Sequence, residues 1–292
     1  MKVLVIGGNG FLGSHVSELL SNKKINVTIF DMKKGAWLKK GQKFVRGNIL
    51  NYKSLSKAIK GVDVVYNFAA LASLDAARFR PLETANINII GTINVLMCCK
   101  KFKVKRFVHA SSIYANSEQG GFYGSSKKAS EDFVEKFYQT YRLNYTIIRF
   151  GSLYGTRADN SNGVNNLIDN AIKKNSLRYQ GSIRAARKYV HVEDAAEACL
   201  KAMQKKYKNQ YINITGKNKI KVIDLIKILS KLMNISQKNI KFLNKRNEGH
   251  YVSEPTRYKP RMGINVSLES YKNLRKSLID LIKERRSYLK SW

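Results

Sequence analysis

The residues best suited to moving a proton in this chain are Tyr123 and Lys127. Of the sixteen tyrosines, only Tyr123 has a lysine four residues later, and on a helix that spacing places both side chains on one face. A free phenol titrates near 10 and is a poor base at neutral pH, but a neighbouring ammonium favours the phenolate and makes it usable. Ser111 and Ser112 precede the pair at the end of an apolar stretch, Arg106 to Ala110, with strand character. Either hydroxyl could hydrogen-bond a reacting alcohol.

A second constellation opens the chain. Gly7, Gly10 and Gly13 form G-x-x-G-x-x-G between the apolar stretch Val3 to Ile6 and a segment in which Leu12, Val16, Leu19 and Leu20 share one helical face. Glycine in such a turn lets a pyrophosphate approach the backbone N–H groups at a helix start, where the dipole favours an anion. Asp31 ends the next strand, where a carboxylate would bind ribose hydroxyls and repel a 2′-phosphate. The expected cofactor is therefore NAD rather than NADP. Lys33 and Lys34 would suit a phosphate, but on so lysine-rich a chain they carry little information.

These side chains need a scaffold, and the hydrophobic pattern supplies one. Val3 to Ile6, Val27 to Phe30, Phe44 to Val45, Val62 to Phe68, Arg106 to Ala110 and Tyr145 to Arg149 read as strands, several apolar enough to be buried on both faces. Helical patterns alternate with them, near 53–60, 82–101 and 122–142. The alternation predicts an α/β fold: a Rossmann-type doubly wound parallel sheet over residues 1–150. Residues 151–292 are expected to form mainly a smaller substrate-binding cap, with about 185–215 returning to the first domain. Within that half the pattern predicts helices near 164–174, 192–205, 221–233 and 267–288, and strands near Leu177, at Tyr189 to His191 and at Tyr211 to Ile214. The stretch Gly151 to Gly163 reads as loop.

Composition sets bounds. A chain of 292 residues with 43% hydrophobic and 10% aromatic residues is globular, and three prolines argue against long linkers. The N-terminus runs straight into a strand, and no apolar run approaches the roughly 20 residues that cross a bilayer. The expectation is a soluble, cytoplasmic protein without a membrane partner. Cys98, Cys99 and Cys199 make no C-x-x-C pair and read as packing residues. The net charge of +34 raises nucleic-acid binding, but the lysines are spread over all surface-type segments without a basic stripe, so no specific nucleic-acid partner is expected. His109 and His191 lie in or beside strands without a second ligand at metal spacing, and His15 and His250 carry no motif; no metal is expected.

The motifs together resemble a known family. G7-G-N-G-F-L-G13, R106-F-V-H-A-S-S112, Y123-G-S-S-K127 with Glu131 following, R149-F-G-S-L-Y-G155 and R187-K-Y-V-H-V-E-D194 stand in the order and spacing of the extended short-chain dehydrogenase/reductases, above all the nucleotide-sugar epimerases and dehydratases. The resemblance covers the first 200 residues well and thins beyond about 215. It implies that Ser112, Tyr123 and Lys127 are catalytic, with Tyr123 as base and Lys127 on the nicotinamide ribose. It further implies cofactor contacts from Gly7, Gly10, Phe11, Leu12, Gly13, Asp31, Asn48, Ile49, Ala69, Ala70 and Phe150, besides Tyr123 and Lys127. Substrate contacts would come from Ser112, Tyr123, Ser152 and Arg187, the last matching an arginine that usually meets the substrate diphosphate; a surface ion pair is the plainer reading of it. In similar enzymes the helices near 82–101 and 122–142 commonly build a dimer interface, so a homodimer is expected.

Departures from the family pattern narrow the chemistry. Its dehydratases carry Asp-Glu directly after the catalytic Ser/Thr and its decarboxylases a glutamate, whereas Ile113 and Tyr114 follow Ser112 here. Asn48, Asn67 and Ser152 replace a frequent Asp, His and Asn, and all three still hydrogen-bond. The resulting expectation is an NAD-dependent nucleotide-sugar epimerase acting at carbon 4 through a transient keto-sugar. A 4-keto nucleotide-sugar reductase using NAD(P)H is the alternative within enzymes, and a catalytically silent NAD- or nucleic-acid-binding protein the alternative outside them.

Overall fold

Buried apolar strands and amphipathic helices alternate through the first half of the chain, and the strands close into one parallel sheet. The computed structural model describes residues 1–117, 119–243, 264–265 and 270–290. The first half contains β1 (Lys2–Ile6), α1 (Phe11–Asn22), β2 (Asn26–Asp31), β3 (Lys43–Arg46), α2 (Tyr52–Ile59), β4 (Val64–Asn67), α3 (Leu74–Phe79), α4 (Pro81–Ala85), α5 (Gly91–Lys101), β5 (Arg106–Ser112), α6 (Gly121–Tyr141) and β6 (Tyr145–Phe150). The second contains β7 (Ser152–Tyr154), α7 (Gly163–Lys174), β8 (Leu177–Tyr179), β9 (Ala186–His191), α8 (Val192–Lys201), β10 (Gln210–Ile214), β11 (Lys219–Lys221), α9 (Val222–Met233), β12 (Ile240–Phe242), β13 (Ile264–Asn265) and α10 (Leu274–Lys290).

The main sheet runs β13-β10-β6-β5-β4-β1-β2-β3, and each of its pairings is parallel. Sequence order reverses between β1 and β4, which opens a crevice at the carboxyl ends of the strands. Two apolar cores lie on the two faces of the sheet, so the fold is a Rossmann-type α/β sandwich. Leu12, Val16 and Leu20 of α1 join Ala195, Ala198 and Cys199 of α8 on one face. Leu55 and Ile59 of α2, Val95, Leu96, Cys98 and Cys99 of α5 and Val134 and Phe137 of α6 cover the other. All three cysteines are free and buried, as packing residues would be.

A third core joins α7, α9 and α10 through Leu167, Ile168, Ile226, Leu229, Leu278 and Leu281. The main sheet also takes up β10 from this half, while β11-β9-β7 and β12-β8 form two small sheets beside it. Three three-residue strands, β7, β11 and β12, and the two-residue β13 lie where the sequence pattern gives no strand. Three residues are too few to show a period, and β7 interrupts the predicted loop 151–163. The predicted strand Val62 to Phe68 is shorter at its start because the Val62 amide bonds back to Ile59 and closes α2. The helix predicted over 192–205 stops at Lys201, and α10 begins at Leu274 rather than 267.

Between α4 and α5 the chain makes a π turn, Asn86–Ile90, so that Pro81–Lys101 is one continuous helical stretch. This stretch corrects the expectation that nothing is long and apolar enough to span a bilayer, since by length and composition it is. Short polar residues such as Asn86, Asn88 and Asn94 break the apolar run in sequence but barely lower its mean hydropathy. Its inner side packs on β4, α2 and α6.

The anchor of α10 is electrostatic as well as apolar. The Arg285 guanidinium takes both carboxylate oxygens of Asp169 on α7, with Nε at 2.7 Å from Oδ1, and both side chains are buried. Removing one partner of such a pair strands the other charge in a poorly solvated place. Asp169→Ala is therefore expected to lower stability by about 3–5 kcal/mol in urea denaturation.

Candidate active site

The glycine turn is built by close backbone approach. The Gly7 amide donates to the Phe30 carbonyl at 2.9 Å, and φ at Gly7 is +74°, a conformation that favours glycine. A Cβ at Gly7 would lie 2.7 Å from the Ala69 amide nitrogen, and one at Gly13 only 2.2 Å from the Gly7 carbonyl oxygen. The turn, the first turn of α1 and the segment Ala69-Ala70 after β4 therefore touch. Gly10 precedes α1 without any side-chain cap, leaving the first-turn amides around Phe11, Leu12 and Gly13 available to an anion.

Asp31, at the carboxyl end of β2, is tied to the same turn. Its Oδ2 accepts from the Asn9 amide at 3.0 Å and its Oδ1 from the Met32 amide at 2.7 Å. Each oxygen keeps a second lone pair for a diol. This cradle fits a dinucleotide: close backbone, open amides at a helix start, and a fixed carboxylate one strand away. Asn48 spends its Oδ1 on the Leu50 amide at 2.9 Å, which shapes the turn. Ile49 packs on Gly91 of α5, and Phe150 closes β6, buried. Asn67 lies buried beneath the sheet end, donating to Thr92 at 3.2 Å.

The three proton-handling residues converge at the carboxyl end of β5. Parallel register sets Ser112 beside Phe150 and Ser111 beside Arg149. Successive strand residues face opposite sides, and the two serines separate accordingly: Ser112 hydrogen-bonds Tyr123, while the Ser111 Oγ is buried without a hydrogen-bond partner among the described residues. The geometry thus selects Ser112. Lys127 Nζ donates to the Ala110 carbonyl at 2.9 Å and lies 5.8 Å from the centre of the Tyr123 ring.

Electrostatics at this site differ from the sequence expectation. Burial pushes the Tyr123 phenol up to about 12, opposed only by the Ser112 hydrogen bond. Burial also pulls Lys127 down to about 8, opposed by the negative charge of Glu131. In the chain by itself desolvation outweighs the attraction that would make tyrosine acidic, and it disfavours both charges. A cation bound at the crevice would tilt the balance back toward phenolate.

Several contributing residues carry no signal in the sequence pattern. Asn88, inside the π turn, holds the Leu71 backbone from both sides: its Oδ1 accepts from the Leu71 amide at 2.8 Å and its Nδ2 donates to the Leu71 carbonyl at 3.1 Å. Nδ2 also donates to Ser126 Oγ at 2.9 Å, and Ser126 donates to the Tyr123 carbonyl at 2.8 Å. The segment after β4 is thereby tied to the helix that carries Tyr123. Tyr114 sets its ring edge-on to Tyr123, centroids 6.4 Å apart. Its ring fills the space that a side chain at Gly120 would need.

On the cap side, Ser152 lies in β7 and Arg187 in β9, two strands paired in parallel. Arg187 is buried, donates to the Ala186 carbonyl at 3.2 Å and lies near Tyr179. His191 Nδ1 accepts from the Glu193 amide and caps α8. His109 is buried against Phe107 and held neutral by desolvation. Among the described residues no cluster of three ligands could hold a metal; His250 lies outside them.

Groups able to move a proton, one strand end away from a dinucleotide cradle, place the chain among Rossmann enzymes of the dehydrogenase type. The chain belongs to the NAD dependent epimerase/dehydratase family, whose sequence profile matches residues 3–215. It is 31% identical over 243 residues to a Methanocaldococcus jannaschii protein named "Putative UDP-glucose 4-epimerase", covering 74% of this chain and 77% of that one. It is 27% identical over 264 residues to a UDP-N-acetyl-alpha-D-glucosaminuronate decarboxylase of Bacillus cytotoxicus, covering 81% and 82%. The solved UDP-glucose 4-epimerase of Thermotoga maritima with UDP-glucose superposes with a TM-score of 0.85 at 25% identity, over 99% of this chain and 100% of that one. The UDP-glucuronic acid 4-epimerase of Bacillus cereus, in complex with UDP-glucuronic acid and NAD, gives 0.82 at 25% identity with the same coverage.

Membership in this family makes NAD the cofactor. Because a Gly13 side chain would collide with the Gly7 carbonyl, Gly13→Ala must open the turn. NAD affinity is expected to fall at least about tenfold, read by equilibrium dialysis, since one lost charge-assisted contact to the pyrophosphate is worth that much.

Proposed function

We propose that the protein is a nucleotide-sugar 4-epimerase that oxidises and re-reduces its substrate in one pocket. The reading rests on one observation: Ser112, Tyr123 and Lys127 converge at the end of β5, while Ile113 and Tyr114 occupy the positions where elimination would need a carboxyl group. Elimination and decarboxylation require an acid or base beside the catalytic serine, and the apolar Ile113 cannot act as one. Tyr114 is turned edge-on to Tyr123. Epimerase relatives support the choice within a family that also holds decarboxylases.

The cradle of Gly7, Gly10, Gly13 and Asp31 would hold NAD, which supplies a hydride acceptor when bound. Ser112 would orient the sugar 4-hydroxyl, and the Tyr123 oxygen would take its proton as general base. Lys127, carrying positive charge, favours the phenolate that this requires. When the keto-sugar has turned in the pocket to present the other face of carbon 4 for reduction, Tyr123 would return the proton to the 4-oxygen. Arg187 and Ser152 belong on the nucleotide side, where a guanidinium fork suits a diphosphate.

Two measurements test this. NAD-loaded protein given UDP-glucose is expected to produce its C4 epimer with no net NADH; steady NADH accumulation, or consumption of added NADH by a keto-sugar, would replace epimerase by oxidoreductase. Tyr123→Phe should lower turnover about 10³-fold while NAD binding is kept, as expected for loss of a general base. Unchanged turnover would sink the assignment.

The same reading carries a cytoplasmic homodimer. Phe79, Leu82 and Ile90 around α4, and Phe122, Phe133 and Tyr141 along α6, leave large apolar side chains exposed on neighbouring helices, with Leu82 74% exposed. A second copy laid on these helices would cover them and explain the hydropathy of Pro81–Lys101. Leu82→Asp combined with Phe133→Asp should halve the mass measured by light scattering and leave the fold intact. An unchanged mass rejects this interface.

A further inference from the structure

Behind the proposed proton-transfer groups lies a buried ion pair that the mechanism does not use. Tyr123, Lys127 and Glu131 recur at four-residue steps on α6 and so share one helical face. Lys127 is 3% exposed, and its ammonium rests on the neutral Ala110 carbonyl. Glu131, a turn further on, is 2% exposed. Its two oxygens are gripped by Arg149 of β6, with Nε at 2.8 Å and an Nη at 2.6 Å. The guanidinium in turn packs 4.3 Å from the centre of the Tyr211 ring on β10.

We infer that Glu131, fixed by Arg149, is a positioning residue that helps keep Lys127 charged in the NAD-loaded site, so that Tyr123 ionises beside an ammonium. The inference rests on the reading of Tyr123 and Lys127 given above. A buried ammonium and a buried phenol compete to lose a proton to solvent, and burial favours the neutral form of each. A carboxylate one turn behind the lysine acts more strongly on the nearer group. With it the ammonium persists further into the range in which Tyr123 ionises in the NAD-loaded site; without it the lysine is neutral there and the phenolate has no cation beside it.

The other groups around Lys127 and Glu131 cannot substitute. His109 on β5 is held neutral by burial, and the phenols of Tyr145 and Tyr211 are kept protonated by burial, reinforced by Glu131. Arg149 is a cation, and Glu135 lies a further turn away on α6. The bidentate grip also prevents Glu131 from being protonated in place of acting on Lys127, because a neutral carboxyl would leave Arg149 buried without its partner.

The test follows Tyr123 ionisation in NAD-loaded protein by near-ultraviolet tyrosinate absorbance, with the Tyr123→Phe signal subtracted. Glu131→Gln keeps the shape and loses the charge, whereas Glu131→Asp keeps the charge and loses the fit; both should lower the melting temperature. Glu131→Gln is expected to move the onset of tyrosinate up by about one pH unit, a tenfold change, while Glu131→Asp stays near wild type. Equal shifts in the two variants, or no shift in Glu131→Gln, would overturn the inference and leave the ion pair a purely structural one. Should Glu131→Gln not fold, the double variant Glu131→Gln/Arg149→Gln removes the ion pair without stranding the arginine, and a smaller shift in the same upward direction is expected of it, its absence being equally fatal. The readout needs NAD but no sugar, so its failure is distinct from a failure of the epimerase reading.

Discussion

The burial of one ammonium beside the end of β5 constrains most of what surrounds it. Taking a lysine out of water costs several kcal/mol unless charges and hydrogen bonds compensate. The compensation is arranged in layers: the Ala110 carbonyl at the nitrogen, Glu131 one turn behind, and Arg149 on the next strand to hold the carboxylate. Parallel register fixes these layers, since Arg149 stands beside Ser111 and Phe150 beside Ser112. A slip of one residue would turn Arg149 to the opposite face of the sheet and release Glu131. The sheet is thus more than a platform for the site, because its register decides which charges meet under α6.

Much of this architecture could be read from residue spacing. The glycine turn, Asp31 and the Tyr123-Lys127 step are local features, each contained within one element or one connection, and the structure places them at neighbouring strand ends. The apolar strands were legible for the same reason, since burial on both faces leaves continuous runs such as Val3 to Ile6. What depends on tertiary partners was not legible. Arg149 meets Glu131 across 18 residues of sequence, and nothing in either segment announces the other. Asn88 acquires its role only because a π turn aims it at Leu71, and single-sequence periodicity has no signature for one inserted residue. The directions in which Tyr123 and Lys127 shift were also missed. Spacing reveals a neighbouring charge, but the extent of desolvation is a property of the folded site.

The positions that differ from those expected from the family pattern fall into two kinds. Asn67 takes up a buried hydrogen bond to the Thr92 side chain, and Asn48 holds the backbone of a turn. Ile113 and Tyr114 follow Ser112 without bringing a carboxyl group beside it. The Tyr114 ring sets its edge against Tyr123 and gives that place shape.

The π turn at Asn86–Ile90 also divides the labour of the helical stretch that contains it. An extra residue in one turn rotates everything beyond it by about 100° relative to a regular helix. The half before the turn therefore need not present the same side to the core as the half after it. Gly91, Val95 and Cys99 seat against α2 and the sheet, while Asn88 is freed to hold the loop that borders the cradle. The inserted residue uncouples packing from ligand alignment: the sheet can fix where the second half of the helix lies, and the first half can still be tuned to the cofactor.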